Sequence, residues 1–200
     1  MKTVYLTGAP GSGKTTSLDA LVLKMPGLAT WKYSEQLARH IQDRVSNAVD
    51  NKELRRASAS LVSPEDILAV DNKLANFAKK KRTKQHLIID SHPVTKEPYG
   101  FRCTAFTSNR LTSLGLDEIW VTYVDPDTTL SRLHPELTGR QPISREEAVM
   151  HTQLQAALAI QYGVLSGCPV HFFDTSESKE KIAARMQERL MKTRLTGGDT

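Results

Sequence analysis

Apolar side chains along this chain follow two rhythms. Residues 2–7, 87–90, 118–124 and 170–173 are short, nearly continuous runs of Val, Ile, Leu, Tyr, Phe and Trp, the pattern of strands covered on both faces. Residues 29–33, Ala-Thr-Trp-Lys-Tyr, form a fifth and more polar candidate. Between these runs, apolar positions recur at helical spacing over residues 14–25, 34–49, 64–81, 104–114, 126–133, 145–165 and 179–191. Ile67, Val70, Leu74, Phe77 and Ala78 share one face of their helix, and Ile182, Met186 and Leu190 share one face of theirs. Ser63-Pro64 and Asp125-Pro126 pair an N-cap with proline at the first helical position, and Ser144 followed by Glu147 fits a capping box. This alternation predicts an α/β three-layer sandwich, a five-stranded parallel sheet with helices on both faces. No internal repeat interrupts it, and the tail 196–200 is expected to be disordered.

Two hundred residues, 39% of them hydrophobic, suffice for one sizeable core, so a single domain is expected. Cys103 and Cys168 lie far apart without metal-ligand spacing and read as free thiols of a reducing compartment. No segment approaches the roughly 20 apolar residues of a membrane span, so the expectation is a soluble cytoplasmic protein. The net charge of +5 suits a polyanionic partner, but enzymes that handle phosphates collect the same cations. Lys79-Lys80-Lys81-Arg82-Thr83-Lys84, the most basic run, ends a predicted helix, where cations oppose the negative end of its dipole. A solvated helix end is therefore favoured there over a nucleic-acid contact. Trp31 and Trp120 read as core or pocket-wall residues, since neither belongs to an aromatic series.

Chemistry enters at Gly8-Ala9-Pro10-Gly11-Ser12-Gly13-Lys14-Thr15, which fits G-x-x-x-x-G-K-[ST] directly after the first strand. A strand that delivers a glycine-rich turn into a helix N-terminus presents free N–H groups and a positive dipole end to phosphates. Four specified positions recur by chance in under about one chain of this length in a hundred, and the strand-turn-helix setting lowers that further. Gly8, Pro10, Gly11, Ser12, Gly13, Lys14, Thr15 and Thr16 are therefore the candidate nucleotide-binding residues. Lys14 would reach the β/γ oxygens with its head in the site and not in the core, and the Thr15 hydroxyl would face Mg2+. Asp90, at the carboxyl end of Leu87-Ile88-Ile89-Asp90, is the second metal candidate, and His92 lies on the same edge.

The loop, the strand ending Ile-Ile-Asp followed by Ser91-His92, the proline- and glycine-bearing stretch 93–100, and Tyr162-Gly163-Val164-Leu165-Ser166-Gly167 together resemble the archaeal-type adenylate kinases and their eukaryotic nuclear relatives. The resemblance spans residues 2 to about 190. It implies a P-loop NTPase core with a monophosphate-binding insertion at about 33–81 and a short lid at about 133–144. It also implies ATP and Mg2+ as cofactors and direct in-line transfer to a nucleoside monophosphate, most readily AMP. Lys14, Arg132, Arg140 and Asp90 would be catalytic. Ser34, His92 and Arg55, with Arg56 the alternative to the last, would bind the acceptor. One departure stands out: the helix after the lid carries an arginine in the family, and here that position is Ala156. A second lid arginine is replaced by Thr138, with Arg145 a conceivable substitute. Two other readings remain open on sequence alone: an ATP-driven switch acting on RNA or a protein partner, and a kinase for a different acceptor.

Overall fold

The computed structural model describes residues 1–44, 62–133 and 142–192. In chain order the elements are β1 (Thr3–Gly8), α1 (Lys14–Lys24), β2 (Ala29–Lys32), α2 (Tyr33–Arg44), α3 (Pro64–Lys81), β3 (Leu87–Asp90), β4 (Val94–Glu97), β5 (Gly100–Cys103), α4 (Ser108–Leu114), β6 (Glu118–Tyr123), α5 (Pro126–Arg132), α6 (Arg145–Ser166), β7 (Val170–Asp174) and α7 (Lys179–Met191). Strands β2-β3-β1-β6-β7 form one parallel sheet in that order. Because β1 is central and the chain first winds to one side and then to the other, the sheet reverses direction beside β1. The carboxyl edge there is where α/β sheets place their ligands.

Alternation along each strand feeds two cores. Tyr5, Trp31, Leu87, Ile89, Ile119 and Val121 pack on one face with Val70, Leu74 and Ala78 of α3, Leu111 and Leu114 of α4, and Tyr162 of α6. Val4, Leu6, Ile88 and Trp120 pack on the other with Leu18 and Leu21 of α1 and Ile182, Met186 and Leu190 of α7. Both tryptophans are buried, as the sequence suggested. The caps are those the sequence signalled: Ser63 and Ser144 close reciprocal capping boxes, and the Asp125 carboxylate accepts from the Thr128 N–H at 2.8 Å.

The observed elements differ from the expected ones in three places. Residues 94–103 form a hairpin, β4 antiparallel to β5, overlapping the proline- and glycine-bearing stretch 93–100, for which no strand was expected. Its turn is Pro98-Tyr99, and Gly100 takes φ 135°, a conformation that suits a residue without a β-carbon. The fourth helix starts at Ser108 and not at 104, because the Thr107 hydroxyl caps it through the Arg110 N–H. The helix expected over 34–49 begins at Tyr33 and is described to Arg44.

The Tyr162-to-Gly167 segment has a packing role. A β-carbon on Gly163 would approach the Val170 methyl to 2.5 Å, so only glycine lets α6 lie this close to β7. Gly167 ends the helix at φ 63°. The Tyr162 hydroxyl accepts from the Phe106 N–H at 2.7 Å, and burial pushes its pKa up to about 12, so it remains a neutral anchor for the loop before α4.

Candidate active site

Gly8 ends β1, directly opposite Thr122 of β6. A β-carbon there would come within 2.2 Å of Thr122 Oγ1 and 2.7 Å of its carbonyl oxygen. Gly11 and Gly13 hold φ of 82° and 75°, the left-handed region in which a β-carbon costs about 1–2 kcal/mol. The turn thus depends on glycine at all three places. Gly13 is the N-cap of α1, yet no side chain caps that end and its first turn holds no acidic residue. Its N–H groups and dipole are left to an external anion.

The other loop residues divide by direction. The Ser12 hydroxyl is buried 2.9 Å from Thr122 Oγ1, so it braces the loop from beneath and can offer a ligand only its backbone. The Thr16 hydroxyl donates to the Gly13 carbonyl at 2.9 Å. Pro10 is half-buried in the turn, and Thr15 is exposed in the first turn of α1. Lys14 extends to Asp90, and its ammonium forms an ion pair with Asp90 Oδ1. Asp90 is buried at the end of β3, opposite Leu6 of β1. Both side chains are about nine-tenths shielded, at 11% and 8% exposure, so the lysine head is more enclosed than the sequence suggested.

Arg132, the last residue of α5, lies against the same loop. Its Nη2 donates to the Thr175 carbonyl at 3.0 Å, and its Nη1 approaches Thr175 Oγ1 at 3.2 Å and the Gly11 carbonyl at 3.5 Å. Thr175, just past β7, in turn donates from its hydroxyl to the Ser12 carbonyl at 2.9 Å. The structure therefore brings the glycine loop, Lys14, Asp90 and Arg132 together at the carboxyl edge of the sheet. Ser34 is exposed in the first turn of α2, two residues past Lys32, which faces Asp90 in the strand register. His92 is half-buried two residues beyond Asp90. Arg55, Arg56, Thr138 and Arg140 lie outside the described residues, as do the tail 196–200, residues 45–61 of the proposed insertion and 134–141 of the proposed lid.

Thr175, Thr122 and Gln155 were not apparent from the sequence. Thr175 and Thr122 brace the loop through hydrogen bonds to Ser12, and Gln155 braces the strand that leads into it by accepting from the Thr7 hydroxyl at 3.4 Å. Only Thr175 carried a signal, a small hydroxyl residue directly after a buried strand. Arg145 pairs with Asp127 at 3.0 Å on the surface between α5 and α6, and Ala156 is half-buried on α6.

The basic run 79–84 ends α3 and leads into the amino end of β3, so it lies at the opposite edge of the sheet from Asp90. A cavity of about 670 Å³ opens at that same far edge, lined by Met1, Lys2, Arg82, His86 and Lys192 among others. Neither contributes to the phosphate loop. Among the described residues, no helix is long and apolar enough to cross a membrane.

The chain is similar to several known proteins. A family model described as an AAA domain matches residues 7–149. The adenylate kinase of Methanothermobacter thermautotrophicus is 25% identical over 171 residues, covering 85% of this chain and 88% of that protein. A shikimate kinase from Acinetobacter baumannii in complex with shikimate superposes with a TM-score of 0.57 at 11% identity, covering 98% of this chain and 96% of the other. The shikimate kinase of Bacteroides thetaiotaomicron gives a TM-score of 0.55 at 19% identity, covering 94% and 98%. These two likenesses bear on the fold, and the sheet with its two helical layers is the one they share.

Proposed function

The chain belongs to the AAA domain family, and we propose that it is, within that family, an ATP-dependent nucleoside monophosphate kinase with AMP as acceptor. The observation that carries this reading is the convergence of Lys14, Asp90 and Arg132 on an uncapped helix N-terminus. Phosphoryl transfer asks little covalent chemistry of a protein and much charge placement, and this edge of the sheet supplies it. The resemblance to an adenylate kinase, maintained over most of both chains, supports AMP over other acceptors.

In this mechanism the N–H groups of the loop and the first turn of α1 hold the donor phosphates, and Lys14 exchanges Asp90 for their β/γ oxygens. Thr15 and Asp90 offer hard oxygen donors of the kind Mg2+ takes, so these residues fit the ion. When bound, Mg2+ would neutralise developing phosphate charge. Arg132, anchored through Thr175, would place its guanidinium against the transferring group, and Arg140 would add a second cation from the lid. Arg55 would hold the acceptor phosphate, with Ser34 and His92 beside it. An acceptor oxygen attacks the γ-phosphorus in line while the bond to the β–γ bridging oxygen breaks, and ADP leaves on each side.

The test is ADP formation from ATP with AMP, CMP, GMP, UMP and shikimate offered in turn. Turnover that depends on AMP supports the assignment. Turnover with shikimate alone, or hydrolysis indifferent to every acceptor, would replace it.

Ala156 sharpens the expectation. Without the family's arginine on α6, charge on the moving phosphoryl group is less well neutralised, and one such contact is commonly worth about 10²- to 10³-fold in rate. Transfer to AMP should be slow and accompanied by AMP-independent ATP hydrolysis, because an under-clamped site admits water. Ala156→Arg should raise the ratio of transfer to hydrolysis. An unchanged ratio, in a wild type that shows no hydrolysis, would mean that another cation already fills the role, with Arg145 the first to examine.

A further inference from the structure

The outer face of α6 is apolar and uncharged over about four turns. Met150, Leu154, Ala157, Ile160 and Val164 all point to solvent, the four larger ones 40–72% exposed, and Gln153 and Gln161 flank them. No Asp, Glu, Lys or Arg occurs between Glu147 and Asp174. A contiguous apolar strip of this kind often marks an interaction surface.

The order of the side chains indicates what covers it. Taking Ala157 as the centre, positions three, four and seven residues away in each direction share one face of any helix. Here the chemistry at those positions also matches. Leu154 mirrors Ile160, Gln153 mirrors Gln161, and Met150 mirrors Val164. An antiparallel helix pair related by a two-fold axis requires this self-complementarity, since residue i then meets residue j and j meets i. Leu154 would face Ile160 of the second copy, each glutamine would meet the other through amide hydrogen bonds, and Ala157 would meet itself. The smallest side chain falls where the axes cross, which permits the close approach of about 8 Å seen between tightly packed helices.

The area is also adequate. With Leu165 at its end, the strip exposes on the order of 500 Å² of apolar surface, close to the apolar share of a standard interface of about 800 Å² per partner.

We infer that the protein forms a two-fold symmetric dimer through α6, antiparallel to α6 of a second copy and centred on Ala157. The interface lies on the opposite side of α6 from Gln155, which reaches the phosphate-loop strand, so association leaves the candidate active site open.

Sedimentation equilibrium from about 1 to 100 μM tests this, with dimers of 22.3 kDa chains forming across that range. Ala157→Glu sets two carboxylates against each other and should weaken association at least about 100-fold, with the far-ultraviolet circular dichroism and melting temperature of the monomer retained. Direction is read by charge pairing. Gln153→Lys combined with Gln161→Glu in one chain should still dimerise, because antiparallel helices bring Lys to Glu, whereas Gln153→Glu with Gln161→Glu should not. Wild type that stays monomeric at 100 μM, or dimers indifferent to Ala157→Glu, would overturn the inference and assign the strip to another partner or to none. Dimers broken by the Lys/Glu combination and by the Glu/Glu one alike would overturn the antiparallel arrangement.

Discussion

Lys14→Ala should lower phosphoryl transfer by 10²-fold or more, the usual scale for losing one charge-assisted contact to a transferring group, of about 10² to 10³. The structure adds a consequence for stability. Asp90 is buried and has Lys14 as its ion-pair partner, so the alanine variant leaves a carboxylate in a shielded site without that counter-charge. Removing one member of such a pair typically costs about 3–5 kcal/mol, and a lower melting temperature should accompany the lost activity. The double variant Lys14→Ala with Asp90→Asn separates the two effects. Neutral asparagine has no charge to strand, so stability should largely return while turnover stays low. A folded Lys14→Ala protein with near wild-type turnover would remove the phosphate loop from the mechanism.

An effect on stability of the same size is expected at the other end of the sheet. Glu118, the first residue of β6, accepts from Lys2 Nζ at 2.7 Å, Trp120 Nε1 at 2.8 Å, and Arg189 Nε and Nη2 at 3.0 and 3.1 Å. It thereby ties β1, β6 and α7 together, with Lys2 itself buried. Glu118→Ala leaves that lysine and the indole N–H without their partner, for a cost of about 3–5 kcal/mol. In a chain of this size that corresponds to a fall of about 10 °C in the unfolding midpoint. Burial alone would raise the Glu118 pKa, but the hydrogen bonds from Arg189, Lys2 and Trp120 outweigh it and hold the carboxyl below its ordinary value. A depressed carboxylate pKa stabilises the fold above the ordinary range near 4.3, and the contribution is lost as pH falls through the lower folded value. The gap between wild type and Glu118→Ala in urea unfolding should therefore be full at pH 7 and narrow below about pH 4. A gap that does not change with pH would show that packing, and not the charge network, is responsible.

What the sequence made legible follows how far each signal reaches along the chain. Local signals translated directly: the glycine loop, the proline-marked caps at Ser63 and Asp125, the capping box at Ser144, and the helix faces of Val70, Leu74 and Ala78 and of Ile182, Met186 and Leu190. The hairpin did not, because Pro93, Pro98 and Gly100 carry loop signals, and buried Glu97 is tolerated in β4 through Arg102 of β5 and the Thr95 hydroxyl, each at 3.1 Å. Glu118 opens the strand run 118–124 with no local sign of its role, and its partners Lys2 and Arg189 stand 116 and 71 positions away. The same holds at the candidate active site. Arg132 was expected to be catalytic, but its anchor, Thr175, is 43 residues distant and belongs to a different strand connection.

The most direct measurement of the central claim follows the terminal phosphoryl group itself. ATP labelled at the γ-phosphate is incubated with the protein, Mg2+ and AMP, and the label is traced to ADP or to inorganic phosphate. The account predicts AMP-dependent labelled ADP, alongside a smaller stream of labelled phosphate that persists without AMP and shrinks in Ala156→Arg. Label that appears only as inorganic phosphate, at a rate untouched by AMP, would contradict it and make the protein a nucleotide hydrolase built on a kinase fold.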